Sequence, residues 1–157
     1  VLAYLQFFYS PLKDELEFFG VDQRHESDIE GLGRIPAEQQ LKSDKVPSFN
    51  VIGNSPLVLR ESLLDEVYTM GENFVEAAKR VVSPGMNGPF CIEGVYDENA
   101  KFRSFEFSAR IVAGSNIYMD GSPYYSLLFN EPMSMGKRIA REIKTATESN
   151  QLDKITT

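Results

Sequence analysis

The stretch PFCIEGVYDENAKFRSFEFSARI, residues 89–111, decides the fold because it holds two strand-like runs around a polar connection. This pattern predicts an antiparallel β-hairpin. With a four-residue loop, Asp97 pairs with Phe102 and Glu93 lies directly opposite Glu106. Because side chains alternate along each strand, paired residues share a face of the sheet. The hairpin is therefore predicted to place two carboxylates side by side.

The two faces of this hairpin differ in chemistry. Like charges directly opposite one another destabilise a sheet, so we expect a compensating group, and a divalent cation with oxygen ligands is the direct answer. A solvated face and a carboxylate pair for glycoside hydrolysis are the alternatives. The polar face carries Glu93, Glu106, Ser108 and Arg110, and the apolar face carries Phe90, Ile92, Phe105, Phe107, Ala109 and Ile111.

Composition limits the class of protein. The chain has 157 residues, 42% of them apolar and 25% charged, which suits a single globular domain over residues 1–157. A net charge of −7 argues against a nucleic-acid binder, which needs a basic surface. The apolar runs are too short to span a bilayer, so no membrane partner is expected. The single cysteine, Cys91, suits a reducing compartment and hence a cytoplasmic location.

Strand signals also occur outside the hairpin. Residues 3–9 read as a core strand, whereas residues 15–19 fit either a strand or a short helix. Residues 49–52 read as a strand that ends in a turn at Gly53-Asn54-Ser55-Pro56. Residues 31–45 read as a loop or a short helix.

Two helices are predicted from apolar residues at steps of three and four. The first spans 62–82 with Ser62 as its N-cap, and the second spans 134–149 with Ser134 as its N-cap. We expect an α+β fold in which both helices pack on the one apolar face of an antiparallel sheet. The second helix also carries a basic face that we expect to be solvated, with Lys137, Arg138, Arg141 and Lys144.

Residues 106–110, Glu-Phe-Ser-Ala-Arg, resemble the E-x-N-x-R motif at the metal-binding end of the ATP-grasp superfamily, with Ser108 in place of Asn. Several longer segments of the sequence resemble one family of that superfamily, the archaeal formate-dependent purine-pathway ligases. The resemblance covers nearly the whole chain and is carried by FYSPLKDELEFFGVDQRHES, GNSPLVLRESLL, SPGMNGPFCIEGVY and FEFSARIVAGSNIYMDGSPYYSLLF.

The resemblance implies roles for five residues. Glu93 and Glu106 match the family's two Mg²⁺ (or Mn²⁺) ligands, and Glu26 matches a residue that contacts ATP. Asn54 matches the residue that binds the aminoimidazole nucleotide. By analogy with the superfamily, Arg110 is the catalytic residue at the phosphoryl-transfer centre. Since Ser is a weaker oxygen ligand than Asn, no metal contact is assigned to Ser108.

The activity implied is the ATP-dependent ligation of formate to 5-aminoimidazole-4-carboxamide ribonucleotide, through formyl phosphate, in purine (IMP) biosynthesis. The chain matches the carboxy-terminal, metal-binding part of the family, so the amino-terminal domain and the glycine-rich-loop lobe are expected to lie elsewhere and this chain alone to be inactive. The family also implies a homo-oligomer, for which residues 118–129 are the candidate interface. The alternatives are a stand-alone nucleotide-binding or assembly module and an ATP-grasp ligase for another acid and amine.

Overall fold

The computed structural model describes residues 1–156, and its centre is a five-stranded antiparallel sheet with the order β3-β2-β1-β4-β5. The central strand β1 is buried along almost its whole length because both of its faces are covered. The predicted strand at residues 3–9 is confirmed, and residues 15–19 are a strand rather than a helix. The strands are β1 (Leu2–Ser10), β2 (Glu15–Glu26), β3 (Val51–Leu57), β4 (Gly88–Tyr96) and β5 (Phe102–Ser108).

Five α-helices and three short 3₁₀ segments connect and cover the sheet in the described part of the chain. The α+β class and the antiparallel sheet with packed helices are confirmed. Among residues 1–156, no helix combines the length and apolarity needed to cross a membrane. The helices are α1 (Ile29–Leu32), α2 (Ala37–Leu41), α3 (Leu64–Val81), α4 (Pro123–Phe129) and α5 (Met135–Glu148), and the 3₁₀ segments are Glu61–Leu63, Ala113–Tyr118 and Leu152–Lys154.

The long helix α3 packs on the apolar face of the sheet, as predicted. Its Val67 and Val75 join one buried cluster with Leu5 and Phe7 of β1. At Gly71 a Cβ would lie 2.8 Å from the Phe7 ring, so the missing side chain permits this close approach. The predicted N-cap at Ser62 is wrong: the 3₁₀ segment Glu61–Leu63 leads into α3, whose start has no side-chain cap.

Helix α5 covers the side chains of β1 that alternate with those beneath α3. The Arg138 guanidinium lies 4.2 Å above the Phe8 ring, and Ser10 Oγ donates to Glu142 Oε1 at 2.6 Å. Because neighbouring residues of a strand point to opposite faces, the two predicted helices lie on opposite faces rather than on one. The Ser134 N-cap is confirmed by its hydrogen bond from the Lys137 amide.

The predicted solvated face of α5 is only partly correct. Lys137, Arg141 and Lys144 reach solvent, but Arg138 is 1% exposed and is paired with buried carboxylates. Apolar periodicity alone gives no sign of this, because the acidic partner in β2 is more than a hundred residues away along the chain. The same separation hides the contact of α5 with β1.

The predicted turn at residues 53–56 is wrong, because β3 runs straight through it. Ser55 pairs with Gln23 and Asn54 pairs with Arg24 of β2. Pro56 is tolerated because β3 lies at the edge of the sheet, where proline does not remove a ladder hydrogen bond. Tertiary pairing thus overrides a local turn signal, and it brings Asn54 onto the sheet itself.

The hairpin of β4 and β5 has the predicted pairing where it matters for function. Glu93 lies opposite Glu106, as expected, but Tyr96 rather than Asp97 pairs with Phe102. The register shifts between Glu93 and Gly94, which leaves Phe105 as an extra residue in β5. The observed turn displaces the pairing by one residue from the predicted one, and the one-residue bulge restores it, so that Glu93 still faces Glu106. Phe105, Phe107 and Ile111 are 60%, 58% and 45% exposed, so the predicted place of these three residues on an apolar core face is wrong.

Candidate active site

A row of side chains crosses four strands of the sheet on one face. Tyr4 of β1 pairs with Asp22 on one side and with Glu93 on the other, and Glu93 pairs with Glu106. Side chains alternate along each strand, so Arg24 lies on the same face as Asp22, two residues further along β2. The row is the physical basis of the candidate site.

An open cleft of about 740 Å³ lies over this row, a size typical of small-molecule sites. Its lining includes Tyr4, Arg24, Glu26, Glu93 and Glu106. The structure therefore brings three of the five residues predicted from the sequence into one cleft. Both predicted metal ligands and the predicted ATP contact are among them.

Glu93 is held in a fixed position at the floor of the cleft. It is 4% exposed, accepts a hydrogen bond from Ser108 Oγ at 3.1 Å, and lies 3.7 Å from Arg24 Nη1. Burial raises the pKa of the Glu93 carboxyl, while Arg24 and Ser108 act in the opposite direction. Ser108, which the sequence left unassigned, thus orients Glu93. Glu106 is directly opposite and exposed.

The donor set fits a metal ion that arrives with a nucleotide. Within residues 1–156 no group of three or more His, Cys, Asp or Glu side chains is arranged to hold a metal. Mg²⁺ needs no such group, because it commonly binds one or two carboxylates together with substrate phosphates and water. The pair of Glu93 and Glu106 supplies that number of carboxylates.

The amide of Asn54 is oriented by a buried carboxylate. Its Nδ2 donates to Asp22 Oδ2 at 2.6 Å, while Gln6 Nε2 donates to Asp22 Oδ1 at 2.5 Å. Asp22 is 1% exposed, and burial raises the pKa of its carboxyl. With one N–H committed to Asp22, Asn54 keeps its second N–H and its carbonyl oxygen for a ligand. The structure thus places Asn54 beside the row.

The structure does not bring Arg110 together with the other predicted residues. Arg110 follows the end of β5, is exposed, and donates from Nη1 to the carbonyl of Ile111 at 2.9 Å. Two arginines do line the cleft, Arg24 and Arg34, and of these Arg24 lies on the sheet with its side chain only 22% exposed, whereas that of Arg34 is 79% exposed. Sequence reasoning missed Arg24, Tyr4 and Asp22 because only the pairing of β1 with β2 and β4 puts them beside the hairpin.

Four other residues considered in the sequence analysis have contacts or positions that suit structural roles. The His25 ring nitrogens lie 2.9 Å from Ser55 Oγ and 3.1 Å from Glu30 Oε1. Cys91 is buried, and burial raises the pKa of its thiol, which disfavours the nucleophilic thiolate. Arg60 and Glu61 precede α3 and do not line the cleft.

Known proteins resemble the chain over its whole length. It is 90% identical over 157 residues to the "5-formaminoimidazole-4-carboxamide-1-(beta)-D-ribofuranosyl 5'-monophosphate synthetase" of Nitrosopumilus maritimus, covering 100% of this chain and 46% of that protein. A protein of the same name from Methanocaldococcus jannaschii is 52% identical over 151 residues, 96% of this chain and 42% of that protein. The chain therefore spans about half the length of these relatives.

The fold has a solved counterpart. The crystal structure of an IMP biosynthesis protein PurP from Thermococcus kodakaraensis matches with a TM-score of 0.82 and 36% identity, over 100% of this chain and 49% of that one. These similarities confirm the resemblance to the formate-dependent ligases that the sequence motifs predicted. A family model matches residues 1–157, and the chain belongs to the family described as "Domain of unknown function (DUF1297)".

Proposed function

We propose that this chain is the metal-binding lobe of an ATP-grasp ligase that joins formate to 5-aminoimidazole-4-carboxamide ribonucleotide. The observation that carries the proposal is the opposed pair of Glu93 and Glu106 in a cleft that Glu26 also lines. A face without chemistry has no reason to keep a repelling carboxylate pair. The names of the similar synthetases and of the similar structure give the reaction class.

Glu93 and Glu106 would hold Mg²⁺ or Mn²⁺, which neutralises charge on the phosphates of ATP. Glu93 is already oriented by Ser108, so little of its freedom has to be lost on binding. Glu106 is exposed and free to adjust to the nucleotide. One fixed and one adjustable carboxylate suit Mg²⁺, because substrate phosphates and water supply the other ligands of this ion.

The remaining roles are those that the family resemblance implies, and donor and acceptor chemistry suits them. The Glu26 carboxylate accepts hydrogen bonds from the ribose hydroxyls of ATP, and the Asn54 carbonyl accepts one from the carboxamide of the aminoimidazole substrate. Arg110 as the catalytic residue stays a prediction. To reach the transferring phosphoryl group, its side chain has to leave the Ile111 carbonyl.

The reaction proceeds in two steps. An oxygen of formate attacks the γ-phosphorus of ATP, the bond to ADP breaks, and formyl phosphate forms. The substrate amine then attacks the formyl carbon, phosphate leaves with the bonding electron pair, and the nitrogen loses a proton. Catalysis of the first step depends mainly on positioning and charge neutralisation. Carboxylates, an amide and an arginine are therefore suitable contributions from this chain, and no nucleophilic side chain is required.

The other half of the relatives' length would supply the rest of the ATP-grasp site, which in this superfamily includes a glycine-rich loop and phosphate-binding lysines. We accordingly propose that the 157-residue chain alone does not turn over substrates. We propose a reducing, cytoplasmic setting for the protein, which the unpaired Cys91 suits.

We also propose that copies of the protein associate through residues 118–129. Within this segment Tyr118 and Tyr125 are buried, whereas Met119, Leu127 and Leu128 are 79%, 85% and 56% exposed. Exposed apolar side chains grouped in one segment are typical of an interface. Sedimentation of the Leu127→Asp/Leu128→Asp variant should show a smaller assembly, and an unchanged assembly would rule this segment out.

The function is tested with ¹³C-formate, ATP, Mg²⁺ and the aminoimidazole nucleotide, using the complete ligase that carries this chain. We expect ¹³C in the formamido group of the product, with one ADP and one phosphate released per turnover. Acetate in place of formate, or a different amine, tests for another substrate pair. Product formed only with another pair would reject the assignment, and turnover by the chain alone would reject its role as one lobe.

A further inference from the structure

We propose that Arg24 is the oxyanion-binding residue of the cleft. It lies beside Glu93 and binds a phosphoryl or carboxylate group of the substrates next to the metal. This inference rests on the proposed function, since it names a residue of the same site. It differs from the role that the sequence assigned to Arg110. Arg24 lines the cleft, which Arg110 does not.

The first observation is that the guanidinium of Arg24 is available. Its closest carboxylate contact, to Glu93 Oε2, is 3.7 Å, which is longer than a hydrogen bond. None of the side-chain hydrogen bonds found among residues 1–156 is donated by the Arg24 guanidinium, whose contact with Glu93 is an ion pair only. The side chain is nevertheless only 22% exposed. Its N–H groups are not among the buried polar atoms without a partner, so water reaches them and a bound oxyanion can replace that water.

The second observation is that the guanidinium is held in place. Its central carbon lies 3.9 Å above the centre of the Tyr4 ring, a cation–π arrangement. Stacking fixes the plane of the guanidinium but leaves its edge, where the N–H groups lie, free for a ligand. A planar fork that is fixed through its face is suited to bidentate binding of an oxyanion.

The third observation is the position of Arg24 between the two predicted ligand sites. It pairs across strands with Asn54, and its guanidinium lies near Glu93. A group bound there is between the nucleotide held by Asn54 and a metal held by Glu93. The transferred phosphoryl group and formate are the oxyanions that have to occupy such a position.

Arg24 also partly neutralises Glu93 while no metal is present. A metal ion on Glu93 would compete with Arg24 for that carboxylate, while the guanidinium stays stacked on Tyr4 and keeps its N–H groups for the oxyanion. Removal of Arg24 should therefore have opposite effects on two ligands: weaker oxyanion binding and equal or tighter binding of a bare metal ion.

The test uses the complete ligase with Arg24→Met, Arg24→Lys and the control Arg103→Met, which removes an exposed arginine on β5 outside the cleft. Mg-ATP affinity is measured by calorimetry, the KM of formate by initial rates, and Mn²⁺ affinity without nucleotide by electron paramagnetic resonance. Arg24→Lys keeps the charge and should recover part of the loss, and it remains informative if Arg24→Met does not fold.

We expect Arg24→Met to weaken one oxyanion by about 10- to 100-fold, the loss of a charge-assisted hydrogen-bonding pair. A loss in Mg-ATP affinity identifies the phosphoryl group, and a rise in the KM of formate identifies the carboxylate. Mn²⁺ binding should stay equal or tighten by up to about fivefold. The proposal is overturned if Arg24→Met and Arg103→Met behave alike toward both oxyanions. If Glu93→Gln leaves Mn²⁺ binding unchanged, the proposed metal pair fails, whereas the Arg24 result is still decided by the oxyanions.

Discussion

At the scale of single residues, Asp22 determines which atoms of Asn54 a ligand can reach. Its buried carboxylate accepts from both Gln6 and Asn54, so the orientation of the Asn54 amide is fixed without any ligand. Gly114 lies directly against this carboxylate, and a side chain there would overlap it. The segment after β5 therefore closes over Asp22.

Asp22→Asn should change how stability depends on pH. Burial raises the pKa of Asp22, so the folded protein binds its proton more tightly than the unfolded chain does. The stability from this group is thus present below the ordinary aspartate pKa and is lost as the pH rises through the raised pKa. We expect the free energy of unfolding of the native protein, minus that of the variant, to fall as the pH rises.

This difference is measured by urea unfolding at several pH values between about 3.5 and 7, a range that starts near the ordinary aspartate pKa. The lost hydrogen bonds with Gln6 and Asn54 shift the whole curve but do not reverse its slope. A difference that grows with pH would contradict the account of Asp22.

The hairpin alone was enough to predict that Glu93 and Glu106 face each other. Asp22 and Arg24 were not predicted, because their place in the site depends on how β2 pairs with β1 and β3. Such pairing is set by the register of strands that are distant in sequence, which a local pattern does not specify. Local alternation therefore reveals the opposed carboxylates and misses the residues beside them.

At the scale of elements, a buried charge network ties α5 to the sheet. Arg138 donates to Glu17 Oε1 at 2.8 Å and to Glu142 Oε2 at 2.7 Å, and Tyr125 donates to Glu17 at 2.8 Å. All four side chains are buried. The network compensates for burying charge only while every member is present.

Arg138→Met should destabilise the protein by about 3–5 kcal/mol, because it leaves Glu17 and Glu142 as uncompensated buried carboxylates. Arg141→Met is the matched control on the same helix: Arg141 is half-exposed and paired with Glu131. Its loss should cost no more than about 1 kcal/mol. Chemical denaturation gives both values, and equal costs would show that the buried network does not anchor α5.

The β4–β5 bulge leads to a second prediction at this scale. A Cβ on Gly94 would lie 2.5 Å from the Arg103 carbonyl oxygen and 2.6 Å from the Phe102 ring. Gly94→Ala should therefore displace β5 and cost about 1–3 kcal/mol, as overpacking does. Because Glu93 is the next residue, Mn²⁺ binding should weaken as well.

Gly53→Ala is the control for this variant, since a Cβ there meets no atom within 4 Å. Its effect on the free energy of unfolding should stay within about 0.5 kcal/mol. If Gly94→Ala binds Mn²⁺ with native affinity, the bulge does not set the spacing of Glu93 and Glu106.

The elements themselves show where sequence patterns succeed. The periods of α3 and α5 predicted both helices, and the Ser134 cap is present. The turn signal at residues 53–56 failed because pairing with β2 outweighs local turn preference. Both faces of β1 carry large apolar side chains, so the sequence of β1 gave no indication of which face each helix would cover.

At the scale of the whole molecule, one sheet performs two tasks on the same face. Toward one end the face is closed by α5 over Phe8 and Ser10, and toward the other it opens as the cleft over Tyr4 and Glu93. The buried end fixes the strands, so the carboxylates at the open end are held on a rigid base. Rigid support of this kind is what a precise binding site needs.

Titration calorimetry on the complete ligase shows whether Glu93 and Glu106 bind the metal of Mg-ATP. The Glu93→Gln/Glu106→Gln variant is compared with Glu98→Gln, a charge removed from the exposed turn of the same hairpin. We predict that the affinity for nucleotide in the presence of Mg²⁺ falls by about 100-fold or more in the double variant, because loss of the ligands themselves costs more than loss of the residues that orient them. In the control this affinity should stay native. Native binding in the double variant would contradict the account, because the opposed carboxylates would then be a solvated face of the sheet.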